Sequence, residues 1–202
     1  MNQTPMRAHP PQAAADPPGR WSYPTARVLM TAIAAGLLLG PLDLLAQTTL
    51  PYPWANLANS GAVWALAAFI LGATVRPATA SAVAGLVLLP IAVESYYLAG
   101  VIFRHDSTAT LWDGVAVLWL VLAVIVGPLF GRAGGAVRSR RAAIRFAAAA
   151  FAGAIFLLEA LVQLGRSHTD GGSNHAGQTA VIEMALAVMV PLVTVALTRT
   201  RR

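Results

Sequence analysis

The sequence predicts an all-α fold, a polytopic membrane bundle of six transmembrane helices with both termini in the cytoplasm. Three observations support this prediction. Hydrophobic residues make up 57% of the 202 residues and charged residues only 11%, whereas a soluble domain carries roughly 25% charged residues. Six apolar segments follow one another, each close to the roughly 20 residues that cross a bilayer core. The arginines concentrate in alternate connections between these segments.

The first 27 residues are predicted to form a disordered cytoplasmic leader. They contain six prolines among scattered polar residues, and such a composition cannot bury enough apolar surface to offset the entropy lost on ordering. A secretory signal peptide would place its apolar region within this stretch, but the first apolar run begins at Val28. We therefore expect a leader at 1–27, a transmembrane domain at 28–198 and a basic cytoplasmic tail at 199–202.

The six apolar segments are predicted to be helices. Helices and closed barrels are the structures that satisfy every backbone polar group in a bilayer, and barrel strands are shorter and alternate in polarity. The third segment is the longest and contains Pro90, so a tilt or a kink is expected there. The segments span residues 28–46, 57–75, 78–103, 111–130, 143–164 and 179–197.

The arginine positions predict the orientation, since short cytoplasmic loops carry an excess of basic residues. The chain has fourteen basic residues, all of them arginine. Twelve lie in the leader, in or next to the second and fourth connections, and in the tail, whereas Arg104 and Arg166 lie in the three opposite connections. This distribution places both termini in the cytoplasm, and it explains the net charge of +6 without nucleic acid.

Four carboxyl groups lie inside the apolar segments, on Asp43, Glu94, Glu159 and Glu183. An ionisable side chain at membrane depth costs about 2.5–3.5 kcal/mol on insertion scales and is a functional-site hypothesis by default. At about 1.5 Å of rise per residue, all four lie toward the outer side of the membrane. Asp113, which opens the fourth segment, lies on that side too. We therefore predict a pocket in the outer half of the bundle.

Glu94 is the first catalytic candidate. Its segment contains no arginine or lysine, and burial without a counter-ion favours the protonated form of a carboxyl group. A protonated carboxyl group can act as a Brønsted acid, and Tyr97 lies on the same helix face at i+3. The alternative is a protonated glutamate that only forms a hydrogen bond to a neighbouring helix.

Glu159 is the second catalytic candidate. Phe156 at i−3 and Gln163 at i+4 share its helix face, which gives a polar and aromatic stripe directed into the bundle.

Asp43 and Glu183 lie nearer the headgroups and are predicted to bind substrate, with a packing role as an equal alternative. Asp43 is expected to pair with Gln47 at i+4. Two carboxyl groups brought close together cannot both ionise easily, so one of them would keep its proton.

The connection at 48–61 is uncharged but rich in aromatic and amide side chains. Tyr52 and Trp54 are expected at headgroup level. Asn56 and Asn59 can line the mouth of the pocket, although we expect one of them to cap the second transmembrane helix. The complete predicted substrate-binding set is Asp43, Trp54, Asn59, Tyr96, Tyr97, Phe156, Gln163 and Glu183.

Ala32, Gly36 and Gly40 form a ridge of small residues on the first helix. Such a ridge is typical of close helix packing or of contact with a partner helix. The other predicted partners are the lipid bilayer of the cell membrane and an apolar small-molecule substrate, and no nucleic acid is expected.

No metal and no cofactor is expected. The chain has no cysteine, which excludes thiolate sites for zinc or iron–sulfur clusters. It has no Walker A lysine loop and no His-Glu-x-x-His motif, and no paired aspartate-rich motif to hold magnesium and a diphosphate. Three histidines in the outer loops are too irregularly spaced to predict a metal site: His105, His168 and His175.

The sequences at 56–64 (Asn-Leu-Ala-Asn-Ser-Gly-Ala-Val-Trp) and 68–72 (Ala-Phe-Ile-Leu-Gly) resemble a family of actinobacterial six-helix integral membrane proteins of unassigned function. Blocks at 94–97, 127–131 and 158–160 are similar to the same family. The resemblance spans most of 36–165 and implies architecture more than activity. In size and intramembrane acids the chain also resembles small integral-membrane terpene cyclases of isoprenoid secondary metabolism, an analogy at the level of architecture.

The function that we predict is a membrane terpene cyclase that starts cyclisation of a prenylated substrate by protonation. Glu94 would donate the proton, and Glu159 would be its partner or the final base. Tyr96, Tyr97 and Phe156 would stabilise carbocations through their ring faces. Because protonation starts the reaction, no diphosphate site is needed.

Two other functions remain open. The number of helices, the length and the outward pocket resemble the S component, the substrate-binding subunit of a vitamin-type transporter. In that case the glutamates would bind the ligand, but the chain shows few polar groups for a hydrophilic vitamin and no inverted repeat. The third possibility is a non-catalytic helix bundle whose acids only fix packing.

Overall fold

A computed structural model describes residues 26–169 and 174–200, and these ranges contain helices and no β-strand. Most of the predicted leader, residues 1–25, and the last two arginines lie outside the described residues. A short 3₁₀ helix, Thr108–Trp112, precedes the fifth α-helix. The helices are α1 (Ala26–Thr49), α2 (Trp54–Ala58), α3 (Gly61–Thr74), α4 (Ala78–Phe103), α5 (Gly114–Ala136), α6 (Ala142–Thr169) and α7 (Asn174–Thr200).

Five of these helices, α1, α4, α5, α6 and α7, are long and apolar enough to cross a bilayer. They indicate a multi-pass membrane protein. Pro90 lies inside α4, and the helix continues through it over all 26 residues. The second predicted segment, 57–75, is not one continuous helix, because the helix is interrupted between α2 and α3. With 14 residues, α3 rises only about 21 Å, which is less than the roughly 30 Å of a bilayer core.

The start of α5 illustrates how the sequence places a helix boundary. Asp113 occupies the N-cap position, and its Oδ1 accepts hydrogen bonds from the backbone N–H groups of Val115 at 3.0 Å and Ala116 at 2.8 Å. An aspartate here satisfies two of the free N–H groups of the first turn. The prediction that Asp113 opens this helix is confirmed.

The small-residue ridge of α1 packs against α4 of the same chain. A Cβ atom on Gly36 would lie 2.7 Å from the carbonyl oxygen of Leu88, and one on Gly40 would overlap the hydroxyl group of Ser95. The Ser95 hydroxyl donates a hydrogen bond to the Gly36 carbonyl at 2.9 Å. Ala32, in the same row, is fully buried. Of the two interpretations of this ridge, close packing within the chain is the one observed.

A second close-packed region joins α3, α4 and α5. Gly85 of α4 faces Gly127 of α5, and Gly72 of α3 faces Gly131 of α5, so that an added Cβ atom would overlap the opposite carbonyl oxygen. We call this region the glycine seam. It lies toward the end of the bundle that holds the α3–α4 connection, which we call the lower end; the end that holds α2 is the upper end.

Bulky aromatic side chains replace glycine above the seam. Trp64 of α3 and Tyr96 of α4 meet edge to face with ring centroids 6.3 Å apart, and Tyr97 meets Tyr96 at 5.3 Å. Trp119 lies at the corresponding level of α5. Because the helix backbones touch at the seam and rings separate them above it, space remains between them at the upper end.

The antiparallel pair α6 and α7 closes the bundle. A Cβ atom on Gly153 of α6 would lie 3.0 Å from the Pro191 ring of α7. Near the lower end, Phe151 of α6 packs on Phe130 of α5 with ring centroids 4.7 Å apart. At the upper end, α6 meets the first turn of α3 through Glu159. These contacts place α6 across the open side of the upper space.

Candidate functional site

The space at the upper end is a cavity of about 1120 Å³, bounded by side chains of every long helix and of α2 and α3. Its volume lies slightly above the range that is usual for small-molecule sites, about 300–1,000 Å³. The apolar part of the wall includes Trp64, Leu89, Val93, Trp119, Leu122 and Ile155. The polar part includes Asp43, Asn59, Tyr96, Arg104, Glu159 and Gln163.

One wall of the cavity is formed by α5 and α6 and is open to the surroundings. Trp119 of α5 and Leu158 of α6 both line the cavity, yet they are 40% and 59% exposed. The cavity is therefore open to the surroundings beside these two side chains.

Asp43 is held on the cavity wall by a chain of hydrogen bonds between α1 and α4. Its Oδ2 accepts a hydrogen bond from Gln47 Nε2 at 2.7 Å, and Gln47 Oε1 accepts one from the Tyr96 hydroxyl at 3.1 Å. The predicted pairing of Asp43 with Gln47 is confirmed. The side chain of Trp64 also interacts with the Asp43 carboxylate. A buried carboxylate with such partners keeps a defined position.

Glu159 caps the N-terminus of α3 from the neighbouring helix α6. Its carboxylate accepts hydrogen bonds from the Ser60 hydroxyl at 2.9 Å and from the backbone N–H groups of Gly61 at 3.2 Å and Ala62 at 2.7 Å. The first N–H groups of a helix have no partner within the helix, and they carry the positive end of its dipole. These three donors stabilise a negative charge on Glu159.

This capping arrangement differs from the predicted one. Ser60 occupies the N-cap position of α3, but its hydroxyl forms no hydrogen bond within the helix, because it donates to Glu159 instead. Asn56 and Asn59 both line the cavity. The expectation that one of these asparagines caps the second transmembrane helix is therefore wrong, and the cap came from a residue about 100 positions further along the chain.

Glu183 lies beside this cap but outside the cavity lining. It is fully buried on α7, close enough to Glu159 and to Ser60 to interact with both. Neither of its carboxyl oxygens has a hydrogen-bond partner among the described residues. Thr179, one turn away, directs its hydroxyl to the backbone carbonyl of His175 at 2.9 Å. Two of the four predicted acids, Glu159 and Glu183, are thus neighbours.

Glu94, the predicted proton donor, is placed elsewhere. Val93 and Tyr97 of α4 line the cavity, whereas Glu94 is half-buried and lies outside that lining. Consecutive residues of a helix point about 100° apart, which accounts for the difference between Val93 and Glu94. The structure does not bring the two predicted catalytic glutamates, Glu94 and Glu159, into one cavity.

The other predicted substrate-binding residues divide into two groups. Asn59, Tyr96, Tyr97 and Gln163 line the cavity together with Asp43. Phe156 and Trp54 do not: Phe156 is fully buried in the helix packing, and Trp54 is 51% exposed on α2.

Sequence reasoning missed the basic residues of the cavity mouth. Arg104, Arg166 and His175 line its upper part. The Asp106 carboxylate accepts a hydrogen bond from Arg104 Nε at 3.1 Å and raises the pKa of that guanidinium above its usual value. A signal was available, because Arg104 and Arg166 are the two arginines that depart from the distribution on which the orientation was predicted.

Two tryptophans of the cavity, Trp64 and Trp119, were also missed. Both look like ordinary packing or interfacial residues in the sequence, where nothing shows that they line the same cavity. The described residues include no group of three or more histidine, aspartate or glutamate side chains that could hold a metal ion. The side chain of His168, one of the predicted loop histidines, lies outside the described residues.

A comparison with known protein families gives one match. No curated protein and no solved structure matches the chain significantly. The matching family model extends from residue 21 to residue 202 and so covers every described helix, including Glu159 and Glu183. The chain belongs to the DUF6518 family, a family of unknown function.

Proposed function

We propose that the protein binds a membrane-soluble molecule with a small hydrogen-bonding head and an apolar body. The observation that carries this proposal is the graded wall of the upper cavity, which is polar near α2 and apolar and aromatic between α5 and α6. Ligand sites typically combine a mostly apolar wall with a few placed polar groups. The open side between α5 and α6 supports entry of the ligand from the bilayer.

The hydrogen bonds within the wall favour an uncharged head. Asp43 already accepts from Gln47, Glu159 accepts from the start of α3, and Arg104 is paired with Asp106. A charged ligand would have to break one of these pairs, because a buried charge without a partner is costly. A hydroxyl head needs only one donor and one acceptor, which Asn59 and Gln163 can supply. Prenyl alcohols have this chemistry.

A second candidate function, protonation-initiated cyclisation of a prenylated molecule, is supported by a separate observation. Asp43 shares the cavity with the rings of Trp64, Tyr96 and Trp119, and such ring faces stabilise carbocations. In this proposal Asp43 is the acid that faces the substrate, and Glu94 is not. Glu159 instead accepts three hydrogen bonds at the start of α3.

We also propose the complete membrane topology. The α2–α3 region makes the sixth crossing, both termini lie in the cytoplasm, and the upper end faces the outside of the cell membrane. The arginines beside the lower end, including Arg76 and Arg138, support this orientation. The cavity would then open to the outer leaflet, as expected of a subunit that captures a ligand for transport or of an enzyme that acts on membrane lipids.

The binding proposal is tested with farnesol and geranylgeraniol on the detergent-purified protein. Both alcohols are expected to raise the melting temperature of the wild type in proportion to the logarithm of their concentration. Leu122→Trp fills the cavity and is expected to abolish this shift. Leu129→Trp is the matched control, because Leu129 lies on the same helix outside the cavity lining. Equal shifts in both variants would contradict binding in this cavity.

Incubation of membranes with the same alcohols and with farnesylated compounds separates binding from turnover. A new product of unchanged mass, made by the wild type and by Glu94→Gln but lost in Asp43→Asn, would establish cyclisation with Asp43 as the acid. Loss of the product in Glu94→Gln alone would return that role to Glu94. Binding without any product would leave ligand capture as the function.

A further inference from the structure

Glu183 is a buried acid that the proposed ligand site does not use. Its side chain is fully enclosed, and both carboxyl oxygens lack a hydrogen-bond partner in the described chain. Buried polar groups are almost always paired, and an isolated buried charge costs several kcal/mol. The enclosed carboxyl group therefore requires a partner that the described side chains do not provide.

The neighbours of Glu183 make a bare carboxylate less favourable still. Glu159 lies close enough to repel a negative charge on Glu183, and the charge on Glu159 is itself stabilised by the Ser60 hydroxyl and the first N–H groups of α3. The N–H groups of the helix N-terminus thus bind Glu159, and the hydroxyl of Ser60, which lies beside Glu183, donates its proton to Glu159 as well. One positive charge bound next to the two carboxyl groups would remove the repulsion between them.

We propose that Glu183, Glu159 and Ser60 form a binding site for one monovalent cation, a proton or Na⁺. The unpartnered oxygens of Glu183 are the acceptors that point to this ligand. The site shares Glu159 with the wall of the ligand cavity, but it does not depend on the function proposed for that cavity.

The hydrogen-bond geometry accommodates either cation. Ser60 gives its hydroxyl proton to Glu159, so its oxygen remains free to accept one. A proton on Glu183 would supply that hydrogen bond. Glu183 would then donate to the Ser60 oxygen and Ser60 to Glu159, so that the three side chains form a continuous chain of hydrogen bonds. A Na⁺ ion would instead be held by oxygen atoms of the two carboxylates and of the serine, which are the hard ligands that such a cation prefers.

No other charged group competes for Glu183 in the surrounding elements that the structure describes. On α6 the facing ionisable group is Glu159, and Arg166 lies about two turns further along that helix. On α7 itself the nearest titratable side chain is His175, about two turns or 12 Å away along the axis. The residues of α2, which also packs on α7, carry no ionisable side chain.

The cation site is in contact with the ligand cavity through one residue. Glu159 lines the cavity and is also close enough to Glu183 to interact with it electrostatically. A change in the charge state of Glu183 will therefore alter the field on Glu159 and the strength of the cap on α3. Such a pair couples cation occupancy to the shape of the cavity wall.

The test compares melting temperatures of the detergent-purified protein in NaCl and in choline chloride at equal ionic strength, at several pH values. If Na⁺ is the cation, NaCl raises the melting temperature of the wild type, and the rise is absent in Glu183→Gln, whose amide cannot neutralise Na⁺. If a proton is the cation, NaCl and choline chloride give equal melting temperatures.

Infrared difference spectroscopy identifies the proton directly. A proton on Glu183 gives a carbonyl stretching band of a protonated carboxyl group in the wild type, which shifts in D₂O and is absent from Glu183→Gln. Glu94→Gln is the matched control and should retain the band. If the wild type shows neither this band nor a Na⁺-dependent rise in melting temperature, the proposal is wrong. This last outcome needs the wild type alone, so it holds even if Glu183→Gln does not fold.

Discussion

At the scale of single residues, the four intramembrane acids differ in the number of donors that each one meets. Glu159 has three, Asp43 has a hydrogen bond from Gln47, and Glu183 has none among the described residues. Glu94 lies outside the cavity on a half-buried face of α4. Four residues of similar chemistry thus have four environments, and the environment determines which role each carboxyl group can take.

Glu159→Gln is predicted to destabilise the protein. An amide keeps the size of the side chain but has a single oxygen and directs N–H groups at the N–H groups of Gly61 and Ala62. Leaving buried donors unsatisfied costs about 1–3 kcal/mol, so the melting temperature in detergent should fall. Glu94→Gln removes no such cap and is the control. A larger loss of stability in Glu94→Gln than in Glu159→Gln would contradict the assigned roles.

At the scale of secondary-structure elements, α3 is the helix that organises the site. It is short, its first turn is capped by α6, and its last turn packs into the glycine seam. A transmembrane helix needs about 20 residues to cross the bilayer core. Because α3 is shorter than this, the contacts at its two ends determine where Trp64 and Ser60 lie.

Gly72→Ala is predicted to loosen α3 and destabilise the bundle by about 1–3 kcal/mol, the usual cost of overpacking. The added methyl group would overlap the Gly131 carbonyl, which is backbone and cannot move aside. Gly165→Ala on α6 is the matched control, since a Cβ atom there meets nothing within 4 Å. The control should be neutral or more stable by up to about 1 kcal/mol, because alanine favours helix. Thermal unfolding in detergent measures both, and equal melting temperatures would exclude the seam as a constraint.

At the scale of the whole molecule, the cavity results from a difference between the two ends of the bundle. The backbones of α3, α4 and α5 touch at the glycine seam and are separated by aromatic rings above it. Dense packing at one end and space at the other give a site that is rigid at its base. The space that forms the cavity is a consequence of this difference in helix spacing.

The proposed topology predicts which connections can be labelled from outside the cell. The chain contains no cysteine, so single cysteines report their own positions. Ala109→Cys in the upper connection should react with a membrane-impermeant maleimide in intact cells, and Ala142→Cys at the lower end should react only after the membrane is opened. Both alanines are exposed. The opposite pattern would reverse the orientation and place the cavity on the cytoplasmic side.

The sequence by itself determined the helices and much of their order. Apolar runs of membrane length predicted six helices because a bilayer demands internal hydrogen bonding, and five of them are long enough to cross a membrane. The position of Asp113 located the start of α5. The sequence also predicted the depth of Asp43 and Glu159, because rise along a helix axis is proportional to residue number.

The tertiary structure alone decided which side chains meet. Residue number gives the height of a side chain but not the rotation of one helix relative to another, and a turn of about 100° separates Val93 in the cavity from Glu94 outside it. The cap of α3 by Glu159 joins residues about 100 positions apart, and no local pattern predicts it. Packing at the glycine seam fixes α3, α4 and α5 against one another, and the close approach of Gly153 to Pro191 fixes α6 against α7.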